Sequence, residues 1–255
     1  MKGTSFQKPL EFNLRVNGES WHQGDQIEGT LTIKNHGLAA VSLTSLKMQL
    51  AHGDLKKVRL KTSGGFREIA SAQLDLPQCL ESSQEITIPW NFQTDRNCPI
   101  TDTFGSLFLL YGLASINPEE EKLAHLQLPF LPFKLVLEFV ELFGTAFRFV
   151  LKGQKWSKGQ VEFKLAAPAA RGFATLDLLL LKCSFQNTNL MVKYEFQVKK
   201  IEATAASFEV KKIKKDLEQL LSATEYQLPS GRLNHERLEI AIREALSSVE
   251  SKISF

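Results

Sequence analysis

Apolar and polar residues alternate regularly in the N-terminal part of the chain. Ile27, Gly29, Leu31 and Ile33 occupy every second position, and the residues between them are charged or hydroxylated. The same alternation occurs upstream at residues 12–16. Because side chains of an extended segment point alternately to opposite faces, this pattern predicts two strands that each bury one face. Between them lies a Gly-Asp dipeptide, which is typical of a turn.

The alternation continues to about residue 115. The predicted strands are VSLTSLKMQL, LKKVRLKT, FREIASAQLDL, EITIPWNFQT and GSLFLLYGLASI. They are separated by AHGD, TSGG, ESSQ and TDRNCP, all rich in turn-forming residues. Strands that recur at this spacing are typical of an all-β sandwich. Pro89 lies inside one of them, and because proline cannot donate a ladder hydrogen bond, that strand is predicted to be an edge strand or to contain a bulge.

The pattern changes after the charged segment NPEEEK at residues 117–122, which predicts a linker. Closely spaced apolar residues then indicate a short helix from about Pro132 to Phe143, with Gly144 at its C-terminal cap. A buried strand remains the alternative, since periodicity alone does not assign a short apolar segment.

Strand-like alternation resumes at Phe147. The segments are FRFVLKG, QVEFKLAAP, FATLDLLLLKCSF and LMVKYEFQVKK, followed by SFEVKKI as one more candidate. Two short motifs, SWHQGD and KWSKGQ, both place a tryptophan three residues before a glycine. This similarity favours two related sandwiches in tandem, although chance similarity is the alternative.

Helical periodicity marks the C-terminal part. KKDLEQLLSA predicts one helix, and Asn234 is a suitable N-cap for a second, whose apolar stripe contains Leu238, Ile242, Ala245 and Val249. Such a helix either caps the fold or binds a partner.

Composition narrows the functional classes. The 255 residues carry a formal net charge of only +3, without the concentrated basic stripe of a nucleic-acid-binding protein. We find no signal-peptide pattern and no long apolar run, and expect a soluble cytoplasmic protein. Cys79, Cys98 and Cys183 fit neither a disulfide framework nor a zinc site, so we expect reduced, mostly structural thiols.

The residues offer little for catalysis. His22 and His36 could meet as metal ligands, and Cys98 could act as a nucleophile with His125, but loop histidines and a buried structural cysteine explain the same residues. The SGG turn lacks the lysine of a phosphate-binding loop. The sequence therefore predicts no catalytic residue, no metal site and no cofactor.

Lysines form the strongest local bias in the chain. Lys211, Lys212, Lys214 and Lys215 are the candidate contact for an acidic partner, or for an anionic membrane surface. Acidic residues are interleaved with them, so a solvated strand face is the other interpretation.

Several motifs together resemble a known family. The order of QGD-x-I-x-G-x-L-x-I, SLKMQL, ITIPWNF with a later CP, and LFLLYGL resembles the N-terminal sandwich of arrestin-like proteins. ELFGTAFRF, QVEFKLAAP, LDLLLLKCSF and LMVKYEFQV follow in an order similar to that of the bacterial sporulation control proteins. The resemblance covers about residues 10–200. It implies a two-lobed β-sandwich that acts as a scaffold or adaptor without catalysis.

These observations predict an all-β chain of two tandem immunoglobulin-like (arrestin-like) β-sandwiches, with a short linker helix and C-terminal helices. The expected divisions are a first sandwich at 1–120, a linker at 121–146 and a second sandwich with the helices at 147–255. We expect protein partners, and no nucleic acid, with bacterial signalling or stress and developmental regulation as the setting. A small-ligand or carbohydrate-binding sandwich is the alternative, for which Trp21, Trp90 and Trp156 are candidates.

Overall fold

The chain divides into two units. The computed structural model describes residues 1–114, 123–169, 173, 175–203 and 208–249. Unit 1 comprises Met1–Leu131 and unit 2 comprises Pro132–Phe255. The predicted linker segment at 117–122 lies outside the described residues.

Unit 1 is built almost entirely of strands. They are β1 (Lys2–Gln7), β2 (Leu10–Val16), β3 (Trp21–His22), β4 (Gln26–Asn35), β5 (Val41–Ser42), β6 (Leu46–Asp54), β7 (Phe66–Ser71), β8 (Cys79–Leu80), β9 (Glu85–Gln93), β10 (Gly105–Leu113), β11 (Ala124–Leu128) and β12 (Phe130–Leu131). One short helix, α1 (Leu55–Leu60), interrupts them after β6.

Two four-stranded sheets form the sandwich of unit 1. Their strand orders are β1-β2-β4-β9 and β11-β10-β6-β7. The apolar face predicted for β4 is buried, with Ile27, Leu31 and Ile33 fully enclosed in one hydrophobic core. β9 lies at a sheet edge, which confirms the prediction made from Pro89. The predicted N-terminal alternation is therefore correct, and it builds the core between the two sheets.

The segment LKKVRLKT forms a helix, so the strand prediction for it was wrong. Asp54 is the N-cap, and its carboxylate accepts hydrogen bonds from the backbone N–H groups of Lys56 and Lys57 at 2.9 and 3.0 Å. Lys61 adopts a left-handed backbone with φ of 52° and ends the helix. The predicted turn AHGD instead continues strand β6. A capping aspartate at the end of a strand thus starts a helix here.

Unit 2 begins with a helix. Its elements are α2 (Lys134–Thr145), β13 (Val150–Ser157), β14 (Gln160–Ala166), β15 (Leu176–Gln186), β16 (Asn189–Ala203), β17 (Phe208–Leu221), α3 (Ala223–Tyr226) and α4 (His235–Ser247). The predicted linker helix is confirmed, but Gly144 lies inside it and does not cap it. Residues 124–131, assigned above to the linker, form β11 and β12 and pair with strands of unit 1.

One five-stranded antiparallel sheet, in the sequential order β13 to β17, is the centre of unit 2. Tyr194 and Phe196 of β16 lie on its buried face, and the Phe143 ring of α2 lies 6.4 Å from that of Tyr194. The all-β class is confirmed. Within the described part of unit 2, however, helices α2 and α4 supply the cover for this face that a second sheet supplies in unit 1.

The C-terminal predictions had mixed outcomes. SFEVKKI is part of β17, as predicted, but KKDLEQLLSA continues the same strand as far as Leu221 and is not a helix. Helix α4 is confirmed, and the side chain of its N-cap Asn234 accepts a hydrogen bond from Arg237 N at 3.3 Å. Its apolar stripe is buried, so α4 packs as part of unit 2.

Candidate partner-binding surfaces

The predicted lysine cluster lies on β17, the edge strand of the sheet of unit 2, and is divided between two faces. Lys215 is paired with the buried Phe196, so Lys211 and Lys215 point to the helix-covered face. Lys212 and Lys214 point to the outer face. Because alternate residues of a strand face opposite directions, the four lysines do not form one continuous surface.

Intramolecular partners occupy two of these lysines. Lys212 Nζ lies 3.3 Å from Asp177 Oδ2, and Lys199 Nζ lies 2.8 Å from Oδ1 of the same carboxylate. Lys215 Nζ donates to the carbonyl oxygen of Ser248 at 3.3 Å, where helix α4 ends. A cation is favourable at this position because the helix dipole is negative at its C-terminus.

Cross-strand ion pairs cover the outer face of the same sheet. Lys155 and Glu162 join β13 to β14 at 3.0 Å, and Lys193 and Glu218 join β16 to β17 at 2.8 Å. Lys182 and Glu195 form a further pair between β15 and β16, and hydrogen bonding to this glutamate raises the pKa of Lys182. We call this set, together with the Asp177 pairs, the ion-pair ladder. Its lysines are neutralised within the sheet.

Unit 1 carries a second basic cluster, which the strand prediction concealed. We call α1 with its C-cap the basic helix; its cations are Lys56, Lys57, Arg59 and Lys61. Lys56, Arg59 and Lys61 are exposed and form no ion pair with any residue that the structure describes. The Gly53-Asp54 dipeptide before a Lys-rich segment is the sequence signal that identifies this helix.

A groove lies beside the basic helix on the outer face of the second sheet of unit 1. Its volume is about 1180 Å³, and we call it the outer-face groove. Its lining comprises Lys47, Gln49, Val58, Lys61, Thr62, Ser63, Gly64, Gly65, Phe66, Glu68, Leu110, Leu123 and His125. Four strands and the turn after α1 therefore contribute to it.

Aromatic rings form one wall of the outer-face groove. The Phe66 ring lies 5.3 Å from that of Phe108 and 5.4 Å from the imidazole of His125. Gly53 permits this arrangement, because a Cβ at that position would lie only 2.5 Å from the Phe108 ring. Leu110 lies on the floor of the groove and belongs to the same apolar cluster as Phe66, whereas Phe108 packs behind Phe66 outside the lining.

The other predicted site residues do not assemble. His36 Nε2 lies 2.6 Å from Glu11, whereas His22 lies 3.8 Å from Asp25, so each histidine has its own acidic neighbour. Burial raises the pKa of Cys98 to about 12, which leaves it a neutral thiol at physiological pH. Among the described residues, no group of three or more His, Cys, Asp or Glu side chains could hold a metal ion.

Two of the three candidate tryptophans are buried. Trp21 and Trp90 are only 5 % and 4 % exposed and belong to the core of unit 1.

None of the helices in the described ranges has both the length and the apolarity needed to span a membrane.

Comparison with known proteins identifies a solved structure with a similar fold. By sequence, the chain matches no family model and no curated protein. Among solved structures, the sporulation control protein Spo0M from Bacillus subtilis superposes with a TM-score of 0.63 at 14 % identity, over 94 % of this chain and 98 % of Spo0M.

Partial matches have much lower scores. The alkylpurine DNA glycosylase AlkC from Pseudomonas fluorescens gives a TM-score of 0.29 at 15 % identity, over 47 % of this chain and 30 % of AlkC. A β-glucosidase from intestinal bacteria gives 0.28 at 19 % identity, over 47 % and 16 %. The resemblance stated from sequence is confirmed for the fold: this chain shares the β-rich fold of the sporulation control protein Spo0M.

Proposed function

We propose that the chain is a non-catalytic regulatory scaffold or adaptor that binds protein partners through the surfaces and edges of its β-sheets. The observation that supports this most is the match to Spo0M, a sporulation control protein, because it extends over 94 % of the chain and includes both units. A regulatory role carried by this fold needs surfaces for other proteins and not a reactive site.

The edge strand β13 supports binding by strand addition. Val150 and Leu151, at its start, are 51 % and 47 % exposed. An edge strand presents backbone N–H and C=O groups that a partner segment can pair with, while its exposed side chains provide specificity. Apolar side chains on such an edge favour association over solvation.

The carbohydrate-binding alternative has weaker support. Stacking on a sugar requires exposed aromatic rings, and Trp21 and Trp90 are enclosed in the core of unit 1. Trp156 is half-buried in β13. We therefore expect the binding partners of this chain to be proteins and not carbohydrates.

The test is affinity purification of the full chain after reversible cross-linking in its native cells, followed by mass spectrometry. We expect one reproducible partner with the wild type. The variant Val150→Lys/Leu151→Lys should lose this partner, because strand addition would bury the two new lysine charges. Leu38→Lys is the matched control, since Leu38 is an exposed leucine at 99 % on a loop of unit 1. Absence of any reproducible partner, or turnover of a substrate in an enzymatic screen, would contradict the proposal.

A further inference from the structure

Charge is distributed unevenly around the outer-face groove. Its lining includes Lys47 and Lys61, and Lys61 is also the C-cap of the basic helix. Glu68 is the carboxylate in the lining, and it already accepts hydrogen bonds from Gln49 Nε2 at 2.6 Å and Ser71 Oγ at 2.7 Å. The groove therefore combines a positive rim with an apolar floor.

We propose that the outer-face groove binds an acidic, extended segment of a partner protein. Apolar side chains of the segment pack on Phe66 and Leu110, and its carboxylates contact Lys47 and Lys61. This inference rests on the proposed partner-binding function and names a site and a chemistry for it. Charge complementarity gives the orientation, and the apolar floor gives the affinity.

The shape of the groove favours a polypeptide over a membrane surface. Leu110 is only 7 % exposed and lies on the floor, below a rim formed by α1 and the turn at residues 61–65. A flat bilayer contacts a rim, whereas a single extended chain enters a recess and reaches its floor. Thr62 and Ser63 add hydroxyl groups along the rim that can hydrogen-bond a peptide backbone.

The groove is also distinct from the lysines of β17. Lys212 is bound to Asp177, and Lys215 is bound to the end of α4. A partner that recruits them must first displace these contacts. Lys61, in contrast, forms no ion pair with a described residue, so its charge is available to a ligand.

The experiment uses the full chain and a fluorescent peptide in which aspartate or glutamate alternates with leucine or phenylalanine. Fluorescence anisotropy measures its binding at low and at physiological ionic strength. We expect the wild type to bind this peptide, to bind more weakly as salt increases, and not to bind the same peptide with lysine in place of the acids.

Charge-reversal variants locate the contact. Lys47→Glu/Lys61→Glu is expected to lower the affinity about tenfold, and the neutral pair Lys47→Gln/Lys61→Gln about threefold. The matched control Lys212→Glu/Lys214→Glu keeps the affinity within about twofold. All these side chains are exposed, and circular dichroism verifies that each variant is folded.

Three results would overturn the inference. They are a wild type that does not bind the acidic peptide, binding that Lys47→Glu/Lys61→Glu leaves unchanged, and binding to phosphatidylserine vesicles in place of the peptide. If the cross-linking experiment still recovers a partner that depends on β13, only this inference fails and the proposed function stands.

Discussion

Unit 1 and unit 2 each contain a sheet with one face in a hydrophobic core, and the outer faces of these two sheets hold lysines in opposite settings. On the sheet of unit 2, lysines face carboxylates of neighbouring strands, as in the Lys193–Glu218 pair at 2.8 Å. On unit 1, helix α1 follows strand β6, and its cations Lys56, Arg59 and Lys61 have no ion-pair partner among the described residues. A count of lysines along a sequence therefore does not indicate where positive charge is available.

The physical reason is the geometry of the two elements. In a sheet, each lysine has cross-strand neighbours that can be acidic, and pairing there is built into the register. The first turn of α1 contains no acidic residue, and the Asp54 carboxylate is engaged by backbone N–H groups. Its lysines consequently face solvent, and Lys61 also lines the outer-face groove.

The largest effect is expected from a change that weakens the helical cover of the sheet of unit 2. Phe143 is fully buried, and its ring lies 5.5 Å from that of Phe139 and 5.9 Å from that of Phe149. Phe143→Ala is expected to lower the free energy of unfolding by about 3–5 kcal/mol, because it leaves a cavity between α2 and the sheet. Urea denaturation measures the loss.

Hydrogen exchange locates this effect. Amides in α2 and β16 should lose protection, whereas those of β4 in unit 1 should retain it, if each unit has its own core. Phe143→Leu is the conservative control and should cost much less. Equal loss of protection in both units would show that the two cores unfold together and would break the comparison.

A smaller effect is expected from a change that displaces the aromatic rings beside the outer-face groove. A methyl group added at Gly53 would lie 2.5 Å from the Phe108 ring and 3.1 Å from the Phe66 ring. Gly53→Ala is expected to destabilise the chain by about 1–3 kcal/mol, since both rings must move. It should also weaken binding of the acidic peptide, because Phe66 forms the wall of the groove.

Gly153→Ala is the matched control for this change. Gly153 lies in β13, and a Cβ there would meet nothing within 4 Å. We expect a change in stability of less than about 0.5 kcal/mol and unaltered peptide binding. If Gly53→Ala behaved like Gly153→Ala, the Phe66–Phe108 contact would not be needed for the groove.

The strands show what the sequence predicts well. Alternation identified β2 and β4 because each buries one full face, and this signal is local. Pro89 marked an edge strand for an equally local reason, the missing N–H.

Other features depended on the tertiary structure. KKDLEQLLSA has helical periodicity, but it pairs with β16 as far as Leu221, so sheet pairing overrides local preference there. LKKVRLKT has alternating residues, but Asp54 caps a helix there. The number of lysines along the chain does not reveal their partners: only the folded structure shows that Lys212 contacts Asp177, whereas Lys61 forms no ion pair with a described residue.

The smallest expected effect tests the ion-pair ladder itself. Hydrogen bonds from Lys199 and then Lys212 hold the pKa of Asp177 below its ordinary value of 3.8. Because the folded-state pKa lies below that of the unfolded chain, these contacts stabilise the fold above about pH 4, and the contribution disappears as the pH falls through the folded-state pKa.

Asp177→Asn should therefore be slightly less stable than the wild type at neutral pH, and the stabilities of the two proteins should converge in acid. Urea denaturation of both proteins between about pH 2 and pH 7 measures this, with Asp75→Asn as the control, because Asp75 is exposed and forms no ion pair with a described residue. A difference that persisted unchanged into acid would mean that the lysines of unit 2 are not neutralised by this carboxylate, and the contrast with the basic helix would be lost.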